Sequence, residues 1–168
     1  MVQKVKKDKT PQQAYLALTR LCARGERCTA DAARLMRNWG VAATDAQQIV
    51  NRLVSERFID DKRYSQSFVR EKINLSHWGQ GKIISALKAK GIRSDYIAEA
   101  LEQFLETDTE SRLKTLLLKK MRTTKSKNSA DLRAKLFRYA ASQGYDFSQI
   151  RDIVESIVKE DNGCEYFD

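Results

Sequence analysis

Few residues in this chain have a type and spacing suited to covalent chemistry. Ser76 and His77 adjoin, but adjacency in sequence does not make a nucleophile and its base, and no orienting acid is identifiable. Asp60 and Asp61 could be read as metal ligands, yet Asp60 stands where a helix cap is expected and Asp61 suits the positive end of that helix. Gly79-Gln80-Gly81-Lys82 is too short for a phosphate-binding loop and follows a helix instead of a strand, so it reads as a turn. Cys22, Cys28 and Cys164 lack C-x-x-C spacing and His77 is the sole histidine, which points to reduced thiols and away from zinc. The expectation is a protein that is not an enzyme, with no catalytic residue, no metal and no cofactor.

What the residues can do is carry positive charge. Thirty-one Lys and Arg against 22 Asp and Glu give +9, a balance that favours nucleic acid or an acidic protein surface. The charge is uneven: residues 1–57 carry +6, residues 58–108 carry 0 and residues 109–168 carry +3. Between positions 112 and 138, ten cations (Arg112, Lys114, Lys119, Lys120, Arg122, Lys125, Lys127, Arg133, Lys135 and Arg138) meet one anion, Asp131. In the middle third Arg63, Arg70, Lys72, Lys82 and Lys90 precede an acidic helix. Lined up on one side of the molecule, these groups would form a band suited to a phosphate backbone.

The elements that must position them are legible around residues 57–92. Ile59 before Asp60 predicts a helix start, with Ile59 packing on Tyr64 as a hydrophobic staple. Tyr64, Phe68 and Leu75 fall on one predicted buried stripe, and Arg63 and Arg70 on a different face. The helix is expected to end near Ser76, with Trp78 to Gly81 as a turn and Ile83, Ile84 and Leu87 as the buried side of the next helix. Gly91 then fits a left-handed helix stop with Ile92 folding back on Leu87, and Ser94 is the expected cap of a third helix bearing Ile97, Leu101, Phe104 and Leu105.

The same grammar occurs on either side. Thr10-Pro11 with Gln13 opens a helix carrying Tyr15, Leu18, Leu21 and Cys22; a second runs from about Thr29 through Leu35 and Met36 to Gly40-Val41. Thr44 with Gln47 predicts a capping box before Ala46, Ile49, Val50 and Leu53. After Thr107 or Thr109 a helix bears Leu113, Leu116 and Leu117, with Arg112 and Lys119 expected on an exposed face. A polar loop at 123–129 leads to Leu132, Leu136 and Tyr139, then to Gly144-Tyr145, and Asp146 with Gln149 is placed to cap a last helix bearing Ile150 to Ile157.

Gly40, Gly91 and Gly144 lie 51 and 53 residues apart, and the residues nine, ten and thirteen positions beyond each are all apolar. A period near fifty residues with three helices per unit predicts an all-α chain, an elongated curved array of three tandem three-helix repeats. The expected divisions are a flexible basic arm at 1–9, repeats at 10–57, 58–106 and 107–158, and an acidic tail at 159–168. The third helices are not basic, which argues against base-specific reading of the helix-turn-helix kind. No stretch approaches the roughly 18 apolar residues of a membrane span, and no apolar core follows the N-terminal lysines, so a cytoplasmic monomer with no membrane partner is expected.

Phe58-Ile59-Asp60-Asp61, Arg63-Tyr64, Phe68-Val69-Arg70, Gly79, Lys82-Ile83, Leu87 and Lys90-Gly91-Ile92, in that order, resemble the middle repeat of the bacterial recombination regulator family RecX. The likeness returns at Leu136, Arg138, Tyr139, Gly144-Tyr145 and Ile150. It implies three tandem three-helix repeats and a partner, the RecA recombinase filament, which would be bound in its groove and inhibited in strand exchange and ATP turnover, with DNA phosphates, single- or double-stranded, as a second contact. The alternative read from charge alone is a sequence-nonspecific nucleic-acid-binding module that acts without RecA.

Overall fold

The computed structural model describes residues 8–102 and 109–163, the last four as backbone alone. Among them it is all helical, in the order α1 (Pro11–Cys22), α2 (Thr29–Asn38), α3 (Ala43–Ser55), α4 (Asp61–Asn74), α5 (Gln80–Ala89), α6 (Ser94–Glu102), α7 (Thr109–Arg122), α8 (Ser129–Ser142) and α9 (Phe147–Gly163). The helices fall into two compact units, residues 1–68 with 87–97, and residues 69–86 with 98–168. The middle triplet is thus divided between them.

In the first unit α1 opens with a full capping box, Thr10 and Gln13 each accepting from the other's backbone amide, and Pro11 at the first helical position. Its core is Ala14, Leu18, Ala32, Met36, Ile49, Leu53 and Ile59. In the second unit Leu113, Leu117, Leu136, Ile150 and Ile157 are fully buried, ringed by Leu116, Leu132, Tyr145, Ile153 and Val154. Truncating one such leucine to alanine costs about 2–5 kcal/mol.

The glycine stops are realised as expected. Gly91 has φ +70, and the Ile92 amide donates to Leu87 O at 3.2 Å; Gly40 with Val41 and Gly144 with Tyr145 repeat the arrangement. A β-carbon in that left-handed backbone meets the carbonyl beside it, which makes glycine the natural residue there.

Several local expectations give way to packing. Leu75 is 78% exposed, and the buried side of α4 runs instead through Tyr64, Ser65, Val69 and Ile73, with Phe68 half-buried at its edge. Ser94 lies inside α6 and Thr44 inside α3, whose cap is Ala42 without a side-chain bond. Gly81 belongs to α5, so the turn closes at Gly79. α9 continues to Gly163, into the 159–168 segment expected as an acidic tail. The expectations for residues 1–7, Phe104, Leu105, Thr107 and Cys164 lie outside the described residues.

Candidate nucleic-acid and partner interface

Two of the expected cations, Arg63 and Lys90, are tied into the packing of the first unit. Arg63 Nε donates to Glu26 Oε1 at 2.7 Å and its Nη2 reaches Arg57 O at 3.3 Å. Lys90 Nζ donates to both oxygens of Asp31, at 2.8 and 2.7 Å. Asp31 is 9% exposed and also receives Arg34 and the Cys28 thiol. Burial works against its charge, but the Lys90 hydrogen bonds and charge outweigh it and hold the carboxyl below its ordinary range. Burial pushes the Cys28 and Cys22 thiols up, so neither is a poised thiolate.

The paired aspartates serve as caps. Asp60 Oδ1 accepts from the Arg63 amide at 3.0 Å, while Asp61 reaches back to α2, accepting from the Thr29 amide and hydroxyl at 2.8 Å each. That contact supplies what Cys28, the α2 cap residue whose thiol makes no capping bond, does not. Among the described residues no three His, Cys, Asp or Glu side chains converge as a metal site would require, and no helix is long and apolar enough to cross a membrane.

In the second unit the cations gather on the hairpin made by the end of α7, the loop 123–128 and α8. Lys135 Nζ bonds Lys125 O at 2.8 Å and Asp131 Oδ2 at 2.7 Å, drawing the loop onto α8 and holding the Asp131 carboxyl down. Lys120 stands 5.0 Å from the Tyr139 ring centre, and Arg138 Nε bonds Ala134 O at 3.3 Å. Lys119, Arg122, Lys125 and Lys127 are exposed, and their side chains have no partner among the described residues. Arg70, on α4, is likewise exposed. Positive side chains at the C-terminal end of α7 are also favoured by its dipole, so the position costs the fold nothing.

Two expected members lie elsewhere in this unit. Arg112 is half-buried, bonding Thr109 Oγ1 at 3.0 Å, and its charge and hydrogen bond pull the Tyr145 phenol back against the upward push of burial. It therefore does not share an exposed face with Lys119. Arg133 Nε lies 3.2 Å from Glu155 Oε1, an ion pair without hydrogen-bond geometry.

Lys72 and Lys82 meet at a residue that charge counting does not single out. Their Nζ atoms stand 5.3 and 4.4 Å from the centre of the Trp78 ring, and Lys82 Nζ also bonds Gln143 Oε1 at 3.0 Å. The loop carrying Trp78 is fixed to the α8–α9 turn: Gly79 N donates to Gln143 O at 2.8 Å, Gly81 N to Gly144 O at 3.1 Å, and the Tyr145 hydroxyl to His77 O at 3.0 Å. The backbones approach so closely that a β-carbon on Gly79 would overlap Gly144 O, and one on Gly144 would overlap the Lys82 amide. The sequence signals were a tryptophan between two lysines and the glycines that permit the approach.

Comparison with known proteins decides the family. A model of the second three-helix domain of RecX matches residues 60–101, and one of the third three-helix domain matches residues 108–154. The chain belongs to the RecX family. It is 31% identical over 121 residues to the Regulatory protein RecX of Oceanobacillus iheyensis, covering 71% of this chain and 44% of that protein. It is also 31% identical over 113 residues to the one from Clostridium botulinum strain Alaska E43, covering 66% and 50%. The matched segment thus spans about half the length of these RecX relatives. A crystal structure of regulatory protein RecX superposes with TM-score 0.75 at 25% identity, over 86% of this chain and 73% of that one. RecX from Lactobacillus salivarius shares the fold, with TM-score 0.67 at 22% identity over 87% and 95% of the two chains.

Proposed function

We propose that this RecX-family chain is a non-enzymatic regulator of the RecA recombinase that lodges against the RecA–DNA filament, inhibits strand exchange and lowers ATP turnover. The observation that carries this reading is the exposed cation cluster on the α7–α8 hairpin, unpaired among the described residues, in a chain of a regulatory family. Lys119, Arg122, Lys125 and Lys127 can approach phosphates or acidic side chains without first breaking an internal ion pair. Lodging by charge and shape needs no catalytic residue. In this reading the chain acts as a monomer in the cytoplasm, through tandem three-helix repeats near 10–57, 58–106 and 107–158.

Adding the purified protein to RecA on single-stranded DNA tests it: ATP hydrolysis and strand exchange should fall as the protein saturates the filament. Unchanged rates at saturation would refute it. The second reading, a nucleic-acid-binding module acting without RecA, is favoured by the same hairpin cations. Titration with bare single-stranded DNA over a salt series tests it: a flat response excludes this module, and binding together with unchanged RecA rates selects it. About six neutralised phosphates give a log–log slope of roughly −4.

A further inference from the structure

We propose that the open face between α2 and α3 of the first unit is a docking groove for an amphipathic helix of a partner protein, one whose apolar stripe is flanked by carboxylates. The inference goes beyond the RecA reading and does not use the cations of the α7–α8 hairpin.

Shape sets the kind of occupant. Two adjoining hollows, of about 680 and 240 Å³, share Ala33, Gln47 and Val50 and together follow the length of α3. Their α3 side is lined by Ala43, Ala46, Val50 and Val54, at offsets of three, seven and eleven, a stripe turned away from the buried Ile49 and Leu53. At a rise of about 1.5 Å per residue the stripe is roughly 16 Å long, about three helical turns. Facing it, α2 contributes Ala30 and Ala33, so the lining is built largely of small side chains that let another backbone come close. Val54 is left 44% exposed at one end. A straight, shallow, apolar channel of this length matches one face of a helix, which fills it with residues at i, i+3 or i+4, and i+7.

Charge selects among helices. No Asp or Glu lines either hollow, and the charged residues that do are Arg37 and Lys90. The Lys90 ammonium is met by Asp31, which leaves the exposed Arg37 guanidinium as the groove's cation without a partner among the described residues. Glu56 is turned to Tyr15 and Arg52, and Asp45 falls on the opposite face of α3 by helical spacing. A second copy of this chain brings a net charge of +9 to another +9, so like charge works against self-pairing. A phosphate backbone would find one free cation over alanines and valines. A helix with carboxylates beside its apolar stripe satisfies both features, and Gln47 and Asn51, joined by a 2.9 Å hydrogen bond, give it a polar edge to run along.

The test titrates the full chain with a dye-labelled synthetic helix of about 15 residues, leucines at helical spacing with glutamates beside them, and with a scrambled peptide of the same composition. The stripe-bearing peptide should bind saturably and about tenfold more tightly than the scrambled one, with amide NMR shifts confined to residues 29–55 and 90–91. Ala33→Glu, at an exposed helical position, should abolish that binding at unchanged circular dichroism, and Arg37→Glu should weaken it about tenfold. Changing Lys119, Arg122, Lys125 and Lys127 together to Gln should leave it intact. No binding, equal binding of the scrambled peptide, loss of binding in the hairpin variant or shifts centred elsewhere would each overturn the inference. So would a concentration-dependent dimer, seen by sedimentation and lost in Ala33→Glu, since the groove would then hold a second copy. All of these outcomes leave the RecA reading to be decided by ATP hydrolysis and strand exchange. Should Ala33→Glu fail to fold, the shift map and Arg37→Glu decide.

Discussion

The two units use the same residue types to opposite ends. In the first, Arg63 and Lys90 are engaged by Glu26 and Asp31, and their charges are spent inside the molecule. In the second, Lys119, Arg122, Lys125 and Lys127 stand exposed on a helical hairpin whose nearby acid, Asp131, is occupied by Lys135. The lesson is that a cation's availability depends on its local counter-ion far more than on net charge. By count, residues 1–57 are the most basic third of the chain, and Arg20, Arg24, Arg37 and Arg57 are exposed there; what sets the hairpin apart is that four exposed cations fall within positions 119–127.

The contrast is broken most forcefully by neutralising the hairpin. Changing Lys119, Arg122, Lys125 and Lys127 together to Gln should lower affinity for single-stranded DNA about a hundredfold at moderate salt and make the salt slope shallower by roughly 3. Thermal unfolding should hardly move. Fluorescence anisotropy over a salt series measures the first and circular dichroism the second.

Lys90→Met attacks the other side of the comparison. It leaves Asp31 buried with only Arg34 and Cys28 as partners, and should cost about 1–3 kcal/mol in denaturant unfolding without weakening DNA binding. Adding Asp31→Asn should recover much of the loss. A DNA-binding defect equal to that of the hairpin variant would erase the distinction between the units.

The acid limb of stability sharpens it further. The folded-state carboxyl of Asp31 lies below its ordinary value of 3.8, so its contribution is present above that pH and is lost as pH falls through the depressed folded value. Removing Lys90 takes away the main lowering contacts and leaves burial opposed by Arg34 and Cys28 alone, so the depression shrinks. Wild type should therefore lose more stability than Lys90→Met between about pH 5 and pH 2, as read by chemical unfolding at each pH. The smallest effect belongs to Arg63→Gln. Its pair with Glu26 is nearly half exposed on the arginine side, so about 0.2–1 kcal/mol is expected, with DNA affinity unchanged.

Much of the fold was legible because its signals are local. Thr10-Pro11-Gln13, the stops at Gly40, Gly91 and Gly144, and the apolar triplets after them depend on backbone geometry that neighbouring residues dictate. What escaped depends on distant contacts. Leu75 fits the α4 stripe by offset yet lies one residue beyond the helix, where it is exposed. Asp61 looks like an acid for its own helix, but its carboxylate is taken by Thr29 of α2. Thr44 offers a capping box that α3 passes over by starting at Ala43.

The candidate site was legible as charge and illegible as pairing. The ten cations between 112 and 138 stood out, but nothing local says that Arg112 turns toward Tyr145 or that Arg133 faces Glu155. Trp78 was readable only as the start of a turn. Its lysine neighbours become visible when α4, α5 and the α8–α9 turn are brought together.

Co-sedimentation with RecA filaments on single-stranded DNA tests the central claim most directly, with the wild-type chain and the four-Gln hairpin variant run side by side. The wild type should pellet with the filament while the variant stays in the supernatant at equal helical content. A variant that pellets as fully as the wild type, or a wild type that stays in solution, would contradict it.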